Sequence, residues 1–315
     1  MCIRDSIGAV RNTGIELGLN LGVIRNKNFT WDVNLAFARN WSKITELPNG
    51  DDVSNNWFIG ERLNVLRDYT SAGIITTDGI TMRTKDGDRH YTLQEVYDTF
   101  GPGGQGLKWY EGQMAVNDWN NDGKINDEDK QIFGCTDPKW TGSLSSTMTY
   151  KGFDFSFMLY TKQGQWSRSY FHEQYMNYGD RGRQKVNFDY YIPAGTPVLD
   201  KNTGDVTYLS EAHIGKYPYP NNTEKTGGGY FSSSSAAVRY HKTSFVKVKN
   251  ITLGYTFPKA WLSKIAVKHL RLYVNVINPF CFTDYEGFDP EWASANLTNG
   301  GPASVTYQIG ANIKF

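Results

Sequence analysis

The 315-residue chain contains no run of about 18 apolar residues, so no part of it can cross a bilayer as a helix. Charge of one sign is also missing. The formal net charge is +1 and no long basic run occurs, so the electrostatic footprint of a nucleic-acid binder is absent and no nucleic-acid partner is expected. Cysteine is scarce: Cys2, Cys135 and Cys281 are an odd number without metal-ligand spacing, which argues against both a disulfide framework and a zinc site. The five histidines, His90, His172, His213, His241 and His269, are scattered, and no HExxH pair occurs. Hydrophobic residues make up 39% of the chain, below the usual globular share, and mean hydropathy is −0.53. A negative mean does not exclude a membrane, because transmembrane strands alternate apolar with polar residues.

Aromatics and glycine are abundant. Twenty tyrosines, seventeen phenylalanines and nine tryptophans bring the aromatic share to 15%, beside 32 glycines. Much of this sits in segments of period two, the mark of a strand with one apolar face. The first sets Ile15, Leu17, Leu19, Leu21 and Val23 on one face. After Asn26-Lys27-Asn28, the second does so with Phe29, Trp31, Val33, Leu35, Phe37 and Trp41, interrupted only by Arg39. The third runs from Trp140 to Tyr150, and Lys151-Gly152 turns it into a fourth carrying Phe153, Phe155, Phe157 and Leu159. A fifth ends with Ile251, Leu253, Tyr255 and Phe257, and a sixth has Leu270, Leu272, Val274 and Val276. The last alternates from Val305 to Phe315. Seven strands are clear, and even pairing predicts an eighth within residues 60–110 or 164–240.

The connections alternate in length: a turn at 26–28, a long stretch from about 44 to 139, a turn at 151–152, a long stretch from about 164 to 243, a modest turn at 258–267, and a loop at 283–302. An outer-membrane barrel has this rhythm, with short periplasmic turns and long extracellular loops. The strands exceed the usual five or six residues, and Trp41, Trp140, Tyr150 and Tyr255 stand near their ends, where a barrel places aromatic girdles. The expected fold is therefore all-β: an antiparallel transmembrane β-barrel segment of about eight strands with long extracellular loops. The alternative is a secreted, calcium-stabilised β-rich carbohydrate-binding module, in which the apolar faces would meet in a closed core. A calcium-dependent glycoside-active enzyme is a third reading, weakened because nothing in the sequence brings together a pair of catalytic carboxylates.

Residues 118–129 read DWNNDGKINDED. Oxygen-bearing residues at positions 1, 3, 5 and 12, a glycine at 6 and an aliphatic at 8 form the layout of an EF-hand-type calcium loop. Asp118, Asn120 and Asp122 would each offer a side-chain oxygen, Lys124 its carbonyl, and Asp129 would close the shell. Gly123 permits the sharp turn because it lacks Cβ. Asp at position 12 is shorter than the usual Glu. The competing reading is a metal-free Asx-rich turn. A bound Ca2+ would be structural, bracing an external excursion at the millimolar calcium found outside cells.

Other motifs carry little. GPGGQG at 101–106 has GxGxxG spacing without the strand before it or the helix after it. Loop aromatics such as Trp57, Tyr69, Trp109, Tyr110, Trp166 and Tyr170 could stack on sugar rings, though packing is their more common use. No catalytic residues are assigned.

Several phrases resemble the C-terminal part of the SusC/RagA family of TonB-dependent outer-membrane importers. NTGIELGLNLGVIRNKNFTWDVNLAFARN (12–40) is similar to a strand pair of that family, and DWNNDGKINDEDKQIFGCTDPKWTGSLSSTMTYKGFDFSFML (118–159) to its most recognisable block. SFVKVKNITLGYTFP (244–258), LRLYVNVINPFCFTDYEGFDPE (270–291) and YQIGANIKF resemble its last strands. Departures are Cys135-Thr136 and an insertion around 184–235. The resemblance implies that residues 12–315 belong to a 22-stranded barrel, with residues 1–11 a fragmentary or unnatural leader and with the plug domain and TonB box outside this chain. It further implies a SusD-like surface lipoprotein partner, force passed through TonB, outer-membrane lipid around the wall, and an oligosaccharide or peptide cargo.

Overall fold

A computed structural model describes residues 8–101, 106–175, 189–200, 202–219, 236–263, 266–294 and 303–315. The period-two segments become seven strands: β1 (Ala9–Arg25), β2 (Phe29–Glu46), β3 (Trp140–Tyr150), β4 (Phe153–Gln163), β5 (Phe245–Thr256), β6 (His269–Phe282) and β7 (Thr306–Lys314). Each pairs antiparallel with its neighbour in chain order. β1 starts at Ala9, so the strand reaches into the residues set aside above as a leader. Among the described residues the sheet has seven members, not eight. The two stretches expected to hide a further strand build something else, described below.

Two conformational features fix the short turns. Asn26 Oδ1 accepts from the N–H groups of Asn28 and Phe29 at 3.1 and 2.8 Å, holding the first reversal. The second is a two-residue loop in which Lys151 (φ 47°) and Gly152 (φ 91°) both adopt the positive φ that a type I′ hairpin turn requires. The third connection contains a short helix, Lys259–Leu262, where the sequence shows only a turn.

Register converts alternation into two faces. Leu19, Leu35, Leu144, Leu159 and Val248 form one row across the sheet. Trp31, Met148, Phe155, Leu253, Val274 and Ile309 form another. Apart from the buried Val248 at the end of the first row, neither row is covered: Leu19 is 53%, Leu253 52% and Ile309 87% exposed. The sole polar residue in the middle of this face, Ser146, is buried and accepts a hydrogen bond from the Trp31 indole N–H at 3.0 Å. Arg39 lays its guanidinium over the Trp41 ring, 4.6 Å from its centroid, which shields a charge that interrupts the apolar side of β2. Aromatics gather at both ends of the strands. Phe153, Tyr255, Phe257 and Trp261 are in successive ring contact at one end. Phe37 meets Trp140 at the other.

The opposite face is polar and internally bonded. Thr252 donates to Asn275 and Asn275 to Gln308, each at 3.0 Å, a ladder running across β5, β6 and β7. Arg271 grips Asp154 with two hydrogen bonds, through Nε at 2.9 Å and Nη2 at 2.5 Å.

The described chain divides into two compact units. The first holds the sheet. The second is built from residues 66–134 and 168–241, the two long excursions between β2 and β3 and between β4 and β5. Its core consists of Ile75, Met82, Tyr91, Val96 and Ala115, none more than 1% exposed. In the hairpin of Ile80–Thr84 with Gly87–Tyr91, the first strand alternates buried and exposed residues and the second buries only Tyr91. Helix Leu93–Phe100 is started by a capping box in which Thr92 and Glu95 each accept the other's N–H, and it buries Val96 and Phe100 one turn apart. Ile74 and Met114 from the first excursion pack with Tyr191, Tyr217 and Val238 from the second. The two excursions thus share this second cluster, while the first belongs to residues 72–125 alone. The Gly227–Gly229 and Ser232–Ser235 runs and most of GPGGQG lie outside the described residues.

Candidate functional site

The 118–129 loop lies in the second unit. Strand Met114–Val116 leads into it, and a single 3-10 turn, Asp127–Asp129, leads out. No helix flanks it on either side. Asn121 (φ 62°) and Gly123 (φ 76°) supply the left-handed geometry that the reversal needs. Asp118 and Asp129 point inward and are fully buried. Asp118 accepts from the N–H of Asp122 at 3.2 Å and of Gly123 at 2.9 Å. Asn120 Oδ1 accepts from Asp122 at 3.1 Å, and Asp122 Oδ1 from the Lys124 N–H at 2.8 Å. Asp129 accepts from Trp119 and Asn126, both at 2.8 Å, and from Asn120 at 3.3 Å. Ile125, the aliphatic of position 8, packs against the core of the unit. Two participants escaped the sequence pattern: Glu128, which takes a hydrogen bond from the Asn120 amide at 3.0 Å, and Asn126, which caps the 3-10 turn.

The structure brings all five pattern residues into one small loop. Its electrostatics are unbalanced. Burial pushes the Asp129 carboxyl above its ordinary range, and the nearby Asp118 carboxylate adds to the rise against three backbone N–H donors. Among the described residues neither carboxylate forms an ion pair. The Tyr91 hydroxyl, buried beside Asp118, has its ionisation pushed up by burial and by that carboxylate. Oxygen-only donors with two buried carboxyl groups that lack an ion-pair partner match the chemistry of a hard cation. No three His, Cys, Asp or Glu among the described residues gather tightly enough to hold a metal alone, so Asn120 and a backbone carbonyl would have to complete the set.

A second polar cluster was not visible in the sequence. On the polar face of the sheet, β4 and β6 both skip Lys249, a bulge in β5. Lys247 Nζ, 3% exposed, donates to Asp289 at 2.8 Å and Glu291 at 2.6 Å, while Lys249 donates to Glu291 at 2.8 Å. The acids come from the loop after β6, in and beside a 3-10 turn at Pro290–Trp292 that Asp289 caps. The alternating lysines are legible in VKVK; their partners, some forty residues on, are not.

The scattered histidines are partly gathered. His172 and His241 stack with centroids 3.6 Å apart, and Ser169 lies 2.6 Å from His172 Nδ1. Burial, with neighbouring His241 and Lys216, pulls His172 down to about 3, so it is neutral at physiological pH and packs as a polar aromatic.

No family model matches the chain. It is 28% identical over 342 residues to the TonB-dependent receptor P39 of Formosa agariphila, covering 99% of this chain and 31% of that receptor. It is also 28% identical over 313 residues to the TonB-dependent receptor SusC of Bacteroides thetaiotaomicron, covering 99% of this chain and 27% of SusC. Among solved structures, the RagAB peptide transporter superposes with a TM-score of 0.62 at 19% identity, over 98% of this chain and 30% of that one. The chain spans less than a third of the relatives it matches. Both similarities cover the exposed apolar rows, the polar ladder and the two inserted excursions alike: throughout its length the chain is similar in sequence to TonB-dependent receptors, SusC among them, and in fold to the RagAB peptide transporter.

Proposed function

We propose that this chain is part of the wall of an outer-membrane barrel and that, within a complete TonB-dependent receptor, it serves the import of oligosaccharides or peptides together with a SusD-like lipoprotein. The observation that carries this is the uncovered apolar face. Leu17, Leu35, Leu144, Phe155, Leu272 and Ile309 share one side of the sheet and none is buried. A soluble carbohydrate-binding module would have closed such faces into a core. The aromatic ends of the 11-residue β3, Trp140 and Tyr150, are about 34 Å apart along the strand at about 3.4 Å per residue. At a tilt of about 45° that becomes about 24 Å, the height of a barrel's apolar band. β1 and β7 each have one neighbour, leaving long apolar edges that further strands of the barrel would pair.

The complete receptor, expressed in its own host, should partition with the outer membrane and migrate faster unheated than boiled on a denaturing gel. Uptake should stop when TonB is deleted. A receptor that dissolves without detergent would overturn the reading.

The same proposal includes structural calcium in the 118–129 loop, held by Asp118, Asn120, Asp122, the Lys124 carbonyl and Asp129. The cation would supply the missing compensation for two buried carboxylates. Calcium titrated into the complete receptor should slow hydrogen exchange across the loop, and Asp122→Ala should abolish the slowing. Identical exchange with and without calcium would remove the metal from the proposal.

A further inference from the structure

We propose that a recess in the second unit, beside the 118–129 loop, is a binding subsite for one sugar ring of an oligosaccharide, an assignment that rests on the import reading and names the chemistry of its cargo. The recess has a volume of about 420 Å³ and is lined by Thr81, Arg83, Asp88, Asn117, Trp119 and Phe133, among others. That volume falls within the range of small-ligand sites.

Its walls are held rigidly by backbone. Asn117 is almost fully buried. Its Oδ1 accepts from the Arg83 N–H at 2.8 Å, and its Nδ2 donates to the Thr70 hydroxyl at 2.8 Å and the Ser71 carbonyl at 3.2 Å. One amide thereby ties together three segments around the recess. Trp119 is held from both sides: its N–H donates to Asp129 Oδ1 and its carbonyl accepts from the Lys85 N–H, each at 2.8 Å. The acid-rich loop therefore has a second use, since its closing carboxylate positions an aromatic wall. Preorganisation of this kind is what a binding site requires of its supporting residues.

The functional groups are spare rather than spent. Arg83 and Asp88 are directly opposed across the hairpin, on the exposed face whose other side buries Met82. Among the described residues the Arg83 guanidinium and the Asp88 carboxylate make no hydrogen bond or ion pair. A fork of donors beside an acceptor matches a ligand whose hydroxyls both donate and accept, while the neighbouring Thr81 hydroxyl is bonded to the His90 ring at 3.2 Å. Trp119 and Phe133, the latter in edge contact with Tyr240, line the recess with aromatic surface for the apolar C–H side of such a ring.

The test uses the complete receptor purified in detergent. It is applied to an array of neutral oligosaccharides and, in parallel, to an array of hexapeptides, followed by titration of the bound probes. The expected result is binding to at least one oligosaccharide, with affinity reduced tenfold or more by Trp119→Ala and by Asp88→Ala, and several-fold by Arg83→Ala. The two hairpin substitutions lie on an exposed face, and unchanged thermal unfolding would confirm that they leave the fold intact. Oligosaccharide binding that survives Asp88→Ala and Arg83→Ala overturns the proposal, as does binding to peptides alone or to neither array. Membrane partition and TonB-dependent uptake, read on the same variants, separate the outcomes: if both persist while the recess proves inert, only the sugar subsite falls.

Discussion

The sheet and the inserted unit bury their apolar residues in opposite ways. In the inserted unit Ile75, Met82, Val96 and Ala115 are wholly hidden from solvent. In the sheet, Leu19, Leu253 and Ile309 are more than half exposed although they lie in unbroken rows. Both regions come from one chain of modest hydrophobicity. One satisfies the hydrophobic effect by closing on itself; the other presents an apolar face that needs an apolar surrounding. The polar groups follow suit. The inserted unit uses side-chain carboxylates to satisfy turn backbone, whereas the sheet collects its charges on the face opposite the apolar rows, as in Lys247 with Asp289 and Glu291.

The contrast can be broken at four points. The largest effect is expected at Lys247→Met. It strands the buried Asp289 carboxylate, and removing one partner of a buried ion pair costs about 4 kcal/mol. Denaturant titration of the receptor in detergent should show it, and a loss under 1 kcal/mol would mean the cluster is hydrated in the full barrel. Next is Met82→Ala, whose cavity costs about 3 kcal/mol. Hydrogen exchange should quicken in residues 72–100 and leave the sheet strands unchanged; loosening in both would deny the separation of the two regions. Leu253→Arg should do the reverse. It places a charge on the apolar face between midplane and interface, costing about 2 kcal/mol for folding into bilayers, and should have little effect in a merely water-exposed sheet. Folding yield into lipid vesicles, read by gel mobility, distinguishes the two.

The smallest effect is a pH dependence. Burial raises the Asp129 carboxyl above its unfolded value, so its contribution to stability is present at low pH and is lost as pH rises through the raised value. The metal-free loop should therefore loosen as pH rises above the ordinary carboxylate range, and calcium should reverse the loosening. Exchange of the Trp119 and Asn126 amides measures it. A loop that tightens with rising pH in chelator would contradict the sign.

Much of the sheet was legible because alternation is local. β3 runs from Trp140 to Tyr150 as the pattern suggests, and the short turns lie where Asn26 and Lys151-Gly152 mark them. β5 and β6 extend as single strands past the point where their alternation is interrupted, because the bulge at Lys249 absorbs the extra residue. The eighth strand failed for a definite reason. Residues 60–110 and 164–240 do contain strand-forming runs, but these pair within their own excursions and bury their apolar faces there. The reversal at 118–129 was legible as an Asx-rich turn around Gly123, since its spacing is confined to twelve positions. Its role in holding Trp119 against a recess was not, because the far walls come from Thr70 and Arg83, more than thirty residues upstream.

A strand's two faces are written in every second residue, and a tight turn in two or three, so no neighbour is needed to read them. Which faces meet is another matter. That Ile74 packs on Tyr191 and Val238, or that Lys247 finds Asp289, depends on contacts spanning from some forty to more than a hundred and fifty residues. Such contacts form only when loop closure and burial are satisfied together, and no local pattern encodes that balance.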